Sequence, residues 1–168
     1  MVSLRIPVAT YRLQFNQGFR FKDAQAIVPY LHRLGITDLY ASPIFKARQG
    51  SSHGYDVTDP SHLNPELGDG QDFEALVREL KAHGMGLLLD LVPNHMAASP
   101  ENPWWMDVLE NGQASPYATF FDINWNPIDP ALKNKVLLPI LGSPYRQALE
   151  KQELALTLEE TGIFIHYH

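Results

Sequence analysis

The chain has 168 residues, of which 45% are hydrophobic, and it contains no cysteine. This composition predicts a packed core and excludes disulfides and thiolate metal sites. The formal net charge of −6 argues against nucleic acid or an anionic membrane as a partner, since both require a basic face. The length is short of the ~250 residues of a complete TIM barrel.

The beginning of the chain lacks the long apolar segment and the cleavage site of a signal peptide. No run of about 18 apolar residues occurs, so we expect no transmembrane helix. From these two observations we expect a cytoplasmic protein.

Two helix–strand units follow a first predicted strand at residues 8–15. In the first unit, apolar residues recur at helical spacing from Ala24 to Leu34, and residues 36–41 form a strand. Pro29 lies inside this helical pattern and removes a backbone hydrogen bond, so we expect a kink or break at residues 24–28.

The second unit repeats this order, with a helix over residues 73–80 and a strand over residues 85–91. The resulting β-α-β-α-β pattern predicts an α/β fold with a parallel sheet and right-handed crossovers. The continuous run from Leu87 to Leu89 is typical of a strand buried on both faces.

The pattern changes after Met96, and residues 97–130 are rich in proline and polar residues. We expect a short helix near residues 104–110, a strand at 135–141 and a second short helix at 145–150. Residues 154–158 and 163–167 predict a β-hairpin. We therefore predict two domains, with residues 1–96 forming part of a barrel and residues 97–168 an incomplete α+β insertion after its third strand.

Polar clusters follow the second and third predicted strands, at residues 50–59 and 90–95. Because the carboxyl ends of parallel strands meet at one edge, we expect these clusters to lie together. His53 and His95 can hydrogen-bond hydroxyl groups, and Tyr55 offers a flat ring on which a pyranose can rest. For Asp59 and Asp90, a ligand role and a purely structural role both remain open.

Trp104 and Trp105 are adjacent, so they cannot share one face of a helix. We expect one of them in the core and the other as a possible aromatic wall of a cleft. No phosphate-binding loop of the P-loop or dinucleotide type is present, and no nucleophile elbow of the hydrolase type.

These two clusters carry a resemblance to the alpha-amylase family of glycoside hydrolases. The segment from Asp90 to His95 resembles the first signature region of that family, and His53-Gly54-Tyr55-Asp56 with Asp59 resembles its motif after strand two. The resemblance implies the first part, about three βα units, of a (β/α)8 TIM barrel, followed by part of the small α+β insertion.

Further segments are similar to the narrower family of maltooligosyltrehalose synthases. They are Ala9–Gln14, Gly50–Val57, Asn102–Trp105, Ser115–Tyr117, Phe121–Trp125 and Lys135–Pro139. This resemblance implies an enzyme that converts the reducing-end α-1,4 linkage of a maltodextrin into an α,α-1,1 linkage by intramolecular transglucosylation. An α-glucan endo-hydrolase and a catalytically inert, glucan-binding fragment remain the alternatives.

The resemblance also implies roles for single residues. Tyr55 would stack on the glucose next to the scissile bond, and His95 with His53 would hydrogen-bond its hydroxyl groups. Asp90, Asp56, Asp59 and Asn94 would organise the site. Asn94 matches a calcium ligand of many amylases, but no other part of such a site is recognisable, so we predict no metal and no cofactor.

The catalytic carboxyl groups of the family come from later barrel strands, so the resemblance implies that none lies in this chain. At the position three residues before Tyr55, where α-glucosidases of the family carry Asp, this chain has Ser52. The expected partners are a maltodextrin or another α-glucan, and either the rest of the barrel or a second chain covering the open edge of the sheet.

Overall fold

The computed structural model describes residues 6–160 and 162–167. Its elements follow in the order β1 (Thr10–Leu13), α1 (Phe21–Arg33), β2 (Asp38–Ala41), β3 (Phe45–Ala47), β4 (Val57–Leu63), α2 (Gly70–Ala82), β5 (Gly86–Leu89), α3 (Pro103–Asn111), α4 (Tyr145–Glu150), β6 (Leu154–Glu159) and β7 (Gly162–Tyr167). Among the described residues, no helix is long and apolar enough to cross a membrane.

The predicted β-α-β-α-β arrangement is confirmed. Strands β1, β2 and β5 form a parallel sheet in the order β1-β2-β5, and α1 and α2 connect them. All three strands have four residues and are shorter than the sequence pattern suggested.

The antiparallel hairpin β3–β4 was not predicted. Strand β3 has only three residues, and β4 contains Pro60, so neither carries a clear strand pattern.

One face of the parallel sheet packs against α1 and α2. The core consists of buried side chains from both helices and from the sheet, with Leu13, Leu39 and Ala41 from the strands and Phe21, Ala24, Val28, Leu31, Leu76 and Leu80 from the helices. This packing fixes the direction of the strands, and therefore which residues emerge at their carboxyl ends.

Among the described residues, α1 and α2 are the helices that pack on this sheet, and both lie on the face of the core. The register aligns Arg12, Tyr40 and Leu88 across the three strands, and alternation places them opposite the buried Leu39. Leu88 and Leu89 are 38% and 40% exposed, so the prediction that this run is buried on both faces is wrong for this chain. Both leucines lie on the edge strand β5, and their exposure agrees with the open apolar edge expected for this chain.

Helix α1 runs without interruption through Pro29, so the predicted break is wrong. Proline inside a helix costs about 3 kcal/mol. The same helix buries Val28 and Leu31 completely, and each full burial contributes about 1.5–3 kcal/mol. The packing of α1 therefore outweighs the loss of one backbone hydrogen bond.

Contacts divide the chain into two compact units, and the division falls between Phe121 and Asp122 in the sequence. The predicted domain boundary at residue 96 stays a prediction. Helix α3 confirms the short helix expected near residues 104–110 and belongs to the first unit.

In the second unit, the predicted helix α4 and the hairpin β6–β7 are confirmed. The strand predicted at residues 135–141 is wrong, because this segment has no regular structure. Pro139 lacks the donor that a strand ladder requires.

Replacing Pro29 with alanine restores a donor for the carbonyl of Gln25 and relieves the clash of the proline ring. We expect Pro29→Ala to raise the free energy of unfolding by about 1–2 kcal/mol, measured by urea denaturation. The control is Pro100→Ala at an exposed turn, where only the unfolded-state entropy changes and stability falls slightly. Equal effects of the two substitutions would contradict this account of α1.

Candidate functional site

The carboxylate of Asp90 is the centre of the polar cluster at the carboxyl ends of the strands. Asp90 follows β5 directly, and its backbone N–H donates to the carbonyl of Ala41 at the end of β2. Its Oδ2 accepts hydrogen bonds from the hydroxyl groups of Tyr55, at 2.5 Å, and of Tyr40, at 3.0 Å. The structure therefore joins the two predicted polar clusters through one carboxylate oxygen.

The loop that carries Tyr55 is held in a fixed shape by its own side chains. The hydroxyl of Ser51 donates to Asp56 and accepts from the backbone N–H of Gly54. Gly54 has a φ of +77°, and an added Cβ would lie 3.0 Å from the carbonyl oxygen of Pro43. Only glycine fits there without strain, so the loop can lie against the end of β2.

Arg12 in β1 and Gln14, which directly follows that strand, bind this loop. Arg12 Nη2 donates to the hydroxyl of Tyr55 at 3.3 Å, and Arg12 Nη1 donates to Gln14 Oε1 at 2.9 Å. Gln14 Nε2 donates to the backbone carbonyls of Ser52 and His53, at 3.2 and 3.3 Å. The Arg12 guanidinium also lies 5.6 Å from the centre of the Tyr40 ring, in the range of a cation–π contact.

Arg12, Gln14 and Tyr40 were not among the predicted site residues. The available signal was the position of Arg12 and Gln14, two residues apart at the carboxyl end of a short strand. Strand alternation directs such a pair to one side of the sheet. Tyr40 gave no distinct signal, because an aromatic residue in a buried strand most often belongs to the core.

His53 lies beside Tyr55, and its predicted role in binding sugar hydroxyl groups stays a prediction. The two rings are stacked at 6.0 Å between centroids with an interplanar angle of 23°. The backbone N–H of Tyr55 donates to His53 Nδ1 at 3.0 Å, which places the proton of the neutral imidazole on Nε2. His53 is exposed, so this donor can reach a ligand hydroxyl.

The structure places the remaining acidic residues in local contacts. Asp56 accepts from Ser51 within the loop, while Asp59 in β4 accepts from Ser61 and contacts His62 at 2.7 Å. Burial opposes ionisation of Asp59, but the hydrogen bonds from Ser61 and His62 outweigh it and lower its pKa. The contacts of Asp59 thus lie within its own strand, and its role in organising the site stays a prediction.

Asn94 and His95 lie in the exposed loop after β5. Asn94 Oδ1 and His95 Nδ1 are 3.3 Å apart. Downstream, the backbone N–H of Ala97 donates to the carbonyl of Val57 in β4 at 2.8 Å, so both polar loops are tied to the same hairpin. A role for His95 in binding a sugar stays a prediction.

The two tryptophans of α3 pack in different directions, as adjacency in a helix requires. Trp104 stacks on Tyr117 at 5.3 Å and contacts Phe120, whereas Trp105 contacts Phe121 at 5.2 Å. Both are half-buried, so neither is a pure core residue. Their proposed place in a cleft wall stays a prediction.

A cavity of about 300 Å³ opens at the other end of the sheet. It is lined by residues that precede the strands or end the helices, among them Val8, Thr37, Met85, His32 and His83. The polar network lies at the opposite rim, so this cavity is separate from the candidate site. Among residues 6–160 and 162–167, no group of three or more His, Cys, Asp or Glu could hold a metal ion.

Asp90 raises the pKa of Tyr40 above its ordinary value, since the phenol donates to a carboxylate that opposes a second negative charge. This hydrogen bond therefore stabilises the fold below the ordinary tyrosine pKa of about 10 and is lost as the pH rises through the raised value. We expect Asp90→Asn to lower the pKa of Tyr40, measured by NMR titration of the tyrosine ζ carbons. Asp56→Asn is the control, and an unchanged Tyr40 pKa in Asp90→Asn would contradict the contact.

The fit of Gly54 against Pro43 can be tested with a matched glycine in the same loop. Gly50 has a similar φ of +74°, but an added Cβ there meets no atom within 4 Å. We expect Gly50→Ala to destabilise the fold by about 1 kcal/mol through strain alone. Gly54→Ala should cost about 1–3 kcal/mol more, because it also clashes with Pro43. Equal losses in denaturant unfolding would contradict the close approach.

Comparison of the sequence and structure with known proteins identifies the family of this chain. The model of the alpha-amylase catalytic domain matches residues 24–150. A putative maltooligosyl trehalose synthase of Mycobacterium tuberculosis H37Rv is 46% identical over 143 residues, which are 81% of this chain and 18% of that protein. The intracellular maltogenic amylase of Bacillus subtilis is 39% identical over 109 residues, covering 63% of this chain and 18% of that protein.

A crystal structure of maltooligosyl trehalose synthase superposes with a TM-score of 0.84 at 38% identity, over 96% of this chain and 22% of the other. The chain thus spans about a fifth of the length of these relatives. The family model covers more than half of the chain, and the chain therefore belongs to the alpha-amylase family.

Proposed function

We propose that this chain is the N-terminal part of a maltooligosyltrehalose synthase. The enzyme would convert the reducing-end α-1,4 linkage of a maltodextrin into an α,α-1,1 linkage. Two observations support this proposal: the similarity to proteins of that name extends over 81–96% of the chain, and the polar network lies at the rim where barrel enzymes bind substrate.

The observation that carries the proposal is the fixed position of Tyr55. Its hydroxyl is held between Asp90 and Arg12, and its ring stacks beside His53. Tyr55 is half-buried, so part of the ring stays accessible. A rigid aromatic face with a hydrogen-bond donor at its side is the arrangement that binds the apolar face and the hydroxyl groups of a pyranose.

The chemistry requires two carboxyl groups about 5 Å apart, one as nucleophile and one as acid/base. The nucleophile displaces the terminal glucose and forms a glycosyl-enzyme, while the acid protonates the leaving oxygen. The freed glucose then turns, and its anomeric hydroxyl attacks the glycosyl carbon while the base takes the proton. No water is consumed. We propose that these carboxyl groups come from later barrel strands and that residues 1–168 supply substrate-binding residues only.

A second candidate function is an α-glucan hydrolase of the same family. The 39% identity to an intracellular maltogenic amylase favours it. Both reactions proceed through the same glycosyl-enzyme, and they differ in whether water or a sugar hydroxyl attacks it. The half-buried Trp104 and Trp105 are candidates for enclosing the intermediate and keeping water away from it.

The exposed edge of the sheet indicates which partner this chain requires. Leu88, Leu89 and Leu91 are 38–56% exposed at and beyond the edge strand β5. An apolar edge of this kind requires cover. We propose that the rest of the same barrel covers it in the whole protein.

The assay that separates the candidates follows the reducing ends. With the protein expressed from its complete coding sequence and maltopentaose as substrate, we expect reducing power to fall while the chain length stays constant. Non-reducing, trehalose-ended products should appear in chromatography. Rising reducing power would indicate hydrolysis, and unchanged substrate would contradict an active enzyme.

The role of Tyr55 can be tested by calorimetric titration with maltopentaose. Removing the ring in Tyr55→Ala should weaken binding by about tenfold, because stacking and burial of an aromatic ring contribute about 1–2 kcal/mol. The control is Tyr30→Ala, which removes a ring that is 57% exposed on α1. Equal affinity of the two variants would contradict a sugar at Tyr55.

A further inference from the structure

We propose that Arg12 is a positioning residue that acts through the hydroxyl of Tyr55 and holds its ring in the orientation that stacks on a glucose. The inference rests on the proposed function, since it assigns Arg12 a part in the same sugar site. It deepens that function by identifying what fixes the stacking ring.

The direction of the hydrogen bonds gives the first argument. The carboxylate Oδ2 of Asp90 can only accept, so the hydroxyl of Tyr55 donates its single proton there, at 2.5 Å. The phenol oxygen is then left as an acceptor, and Arg12 Nη2 donates to it at 3.3 Å. Tyr55 is thereby held from both sides, and neither bond can reverse, because a guanidinium cannot accept and a carboxylate cannot donate.

The anchoring of Arg12 itself gives the second argument. Its Nη1 donates to Gln14 Oε1, and its guanidinium lies over the ring of Tyr40, a neighbour in the strand register. Tyr40 donates to the same Oδ2 of Asp90 as Tyr55 does. A long, exposed arginine loses rotamer freedom when it is ordered, and these two contacts supply that order before a sugar arrives.

Gln14 gives the third argument, because it fixes the backbone on which Tyr55 stands. Its amide nitrogen donates to the carbonyls of Ser52 and His53, which directly precede the Gly54-Tyr55 turn. Arg12 binds the acceptor end of that amide and so fixes which end of it faces the loop. Arg12 in β1 and Gln14 directly after it therefore hold both the hydroxyl of Tyr55 and the backbone that precedes Tyr55.

A double-mutant cycle tests the inference on the protein expressed from its complete coding sequence. Arg12→Met should lower kcat/KM for maltopentaose by about tenfold, the loss of one charge-assisted hydrogen bond. In the background of Tyr55→Phe, which lacks the hydroxyl, the same substitution should cost less than about twofold. Arg12→Lys keeps the positive charge but lacks the planar guanidinium with its two parallel donors. It should therefore lower kcat/KM less than Arg12→Met does.

One control variant, one replacement variant and one spectroscopic measurement make the outcome of the cycle decisive. Arg78→Met removes an exposed arginine of α2 that pairs with Glu74, and should change kcat/KM by less than about twofold. If Arg12→Met does not fold, the cycle is run with Arg12→Lys. The chemical shift of the Tyr55 ζ carbon is followed in every variant that keeps Tyr55, because it reports the contact with Arg12 whether or not the protein acts on glucans.

Equal losses from Arg12→Met in the presence and absence of the Tyr55 hydroxyl would overturn the inference, as would an unchanged Tyr55 ζ-carbon shift. Absence of any binding or turnover of glucans in the unsubstituted protein would instead overturn the proposed function, while the ζ-carbon shift would still report the contact.

Discussion

A carboxylate at the end of an apolar strand requires hydrogen-bond donors. The carboxylate of Asp90 is such a group, and the side chains at this end of the sheet are arranged around it. Leaving such a group partly buried without partners costs several kcal/mol. Its Oδ2 takes one donor from β2, through Tyr40, and one from the loop after β3, through Tyr55. One charged oxygen thus links three segments that are distant in sequence, and the position of Tyr55 is a consequence of satisfying it.

One face of the sheet forms the hydrophobic core, and the other carries side chains of the candidate site. The face of Leu39 and Ala41 packs against α1 and α2 and supplies the core. The face of Arg12 and Tyr40 carries polar and aromatic groups that contact each other in register and lead to Asp90. Because the period of a strand is two residues, a single short strand serves both purposes. The groups that orient Tyr55 therefore lie in the strands or directly after them.

Much of the fold was predictable because hydrophobic periodicity determines α1, α2 and the parallel strands. The hairpin β3–β4 was not, since β3 has only three residues and β4 contains Pro60, a residue depleted in strands. The break expected at Pro29 was wrong. Proline disfavours a helix locally, but this local preference does not include the free energy gained by burying Val28 and Leu31.

In the site, the meeting of the two polar clusters followed from topology, and the contact between Tyr55 and Asp90 agrees with it. The partners Arg12 and Gln14 were missed, because their role depends on side-chain geometry across 38–43 positions of sequence. Sequence spacing alone does not encode such a contact. The sequence motifs therefore predicted which end of the sheet carries the site. The contacts of Arg12 with Tyr40 and Tyr55 became visible only from the register of β1 against β2.

The central claim is that the bond to Asp90 holds Tyr55 where a glucose ring rests. A crystal structure of the protein, expressed from its complete coding sequence and soaked with a maltooligosaccharide, measures this directly. The account predicts a glucose ring stacked on Tyr55, with the tyrosine hydroxyl within hydrogen-bond distance of Asp90. A sugar bound at a different surface, or a Tyr55 hydroxyl turned away from Asp90 in the complex, would contradict it.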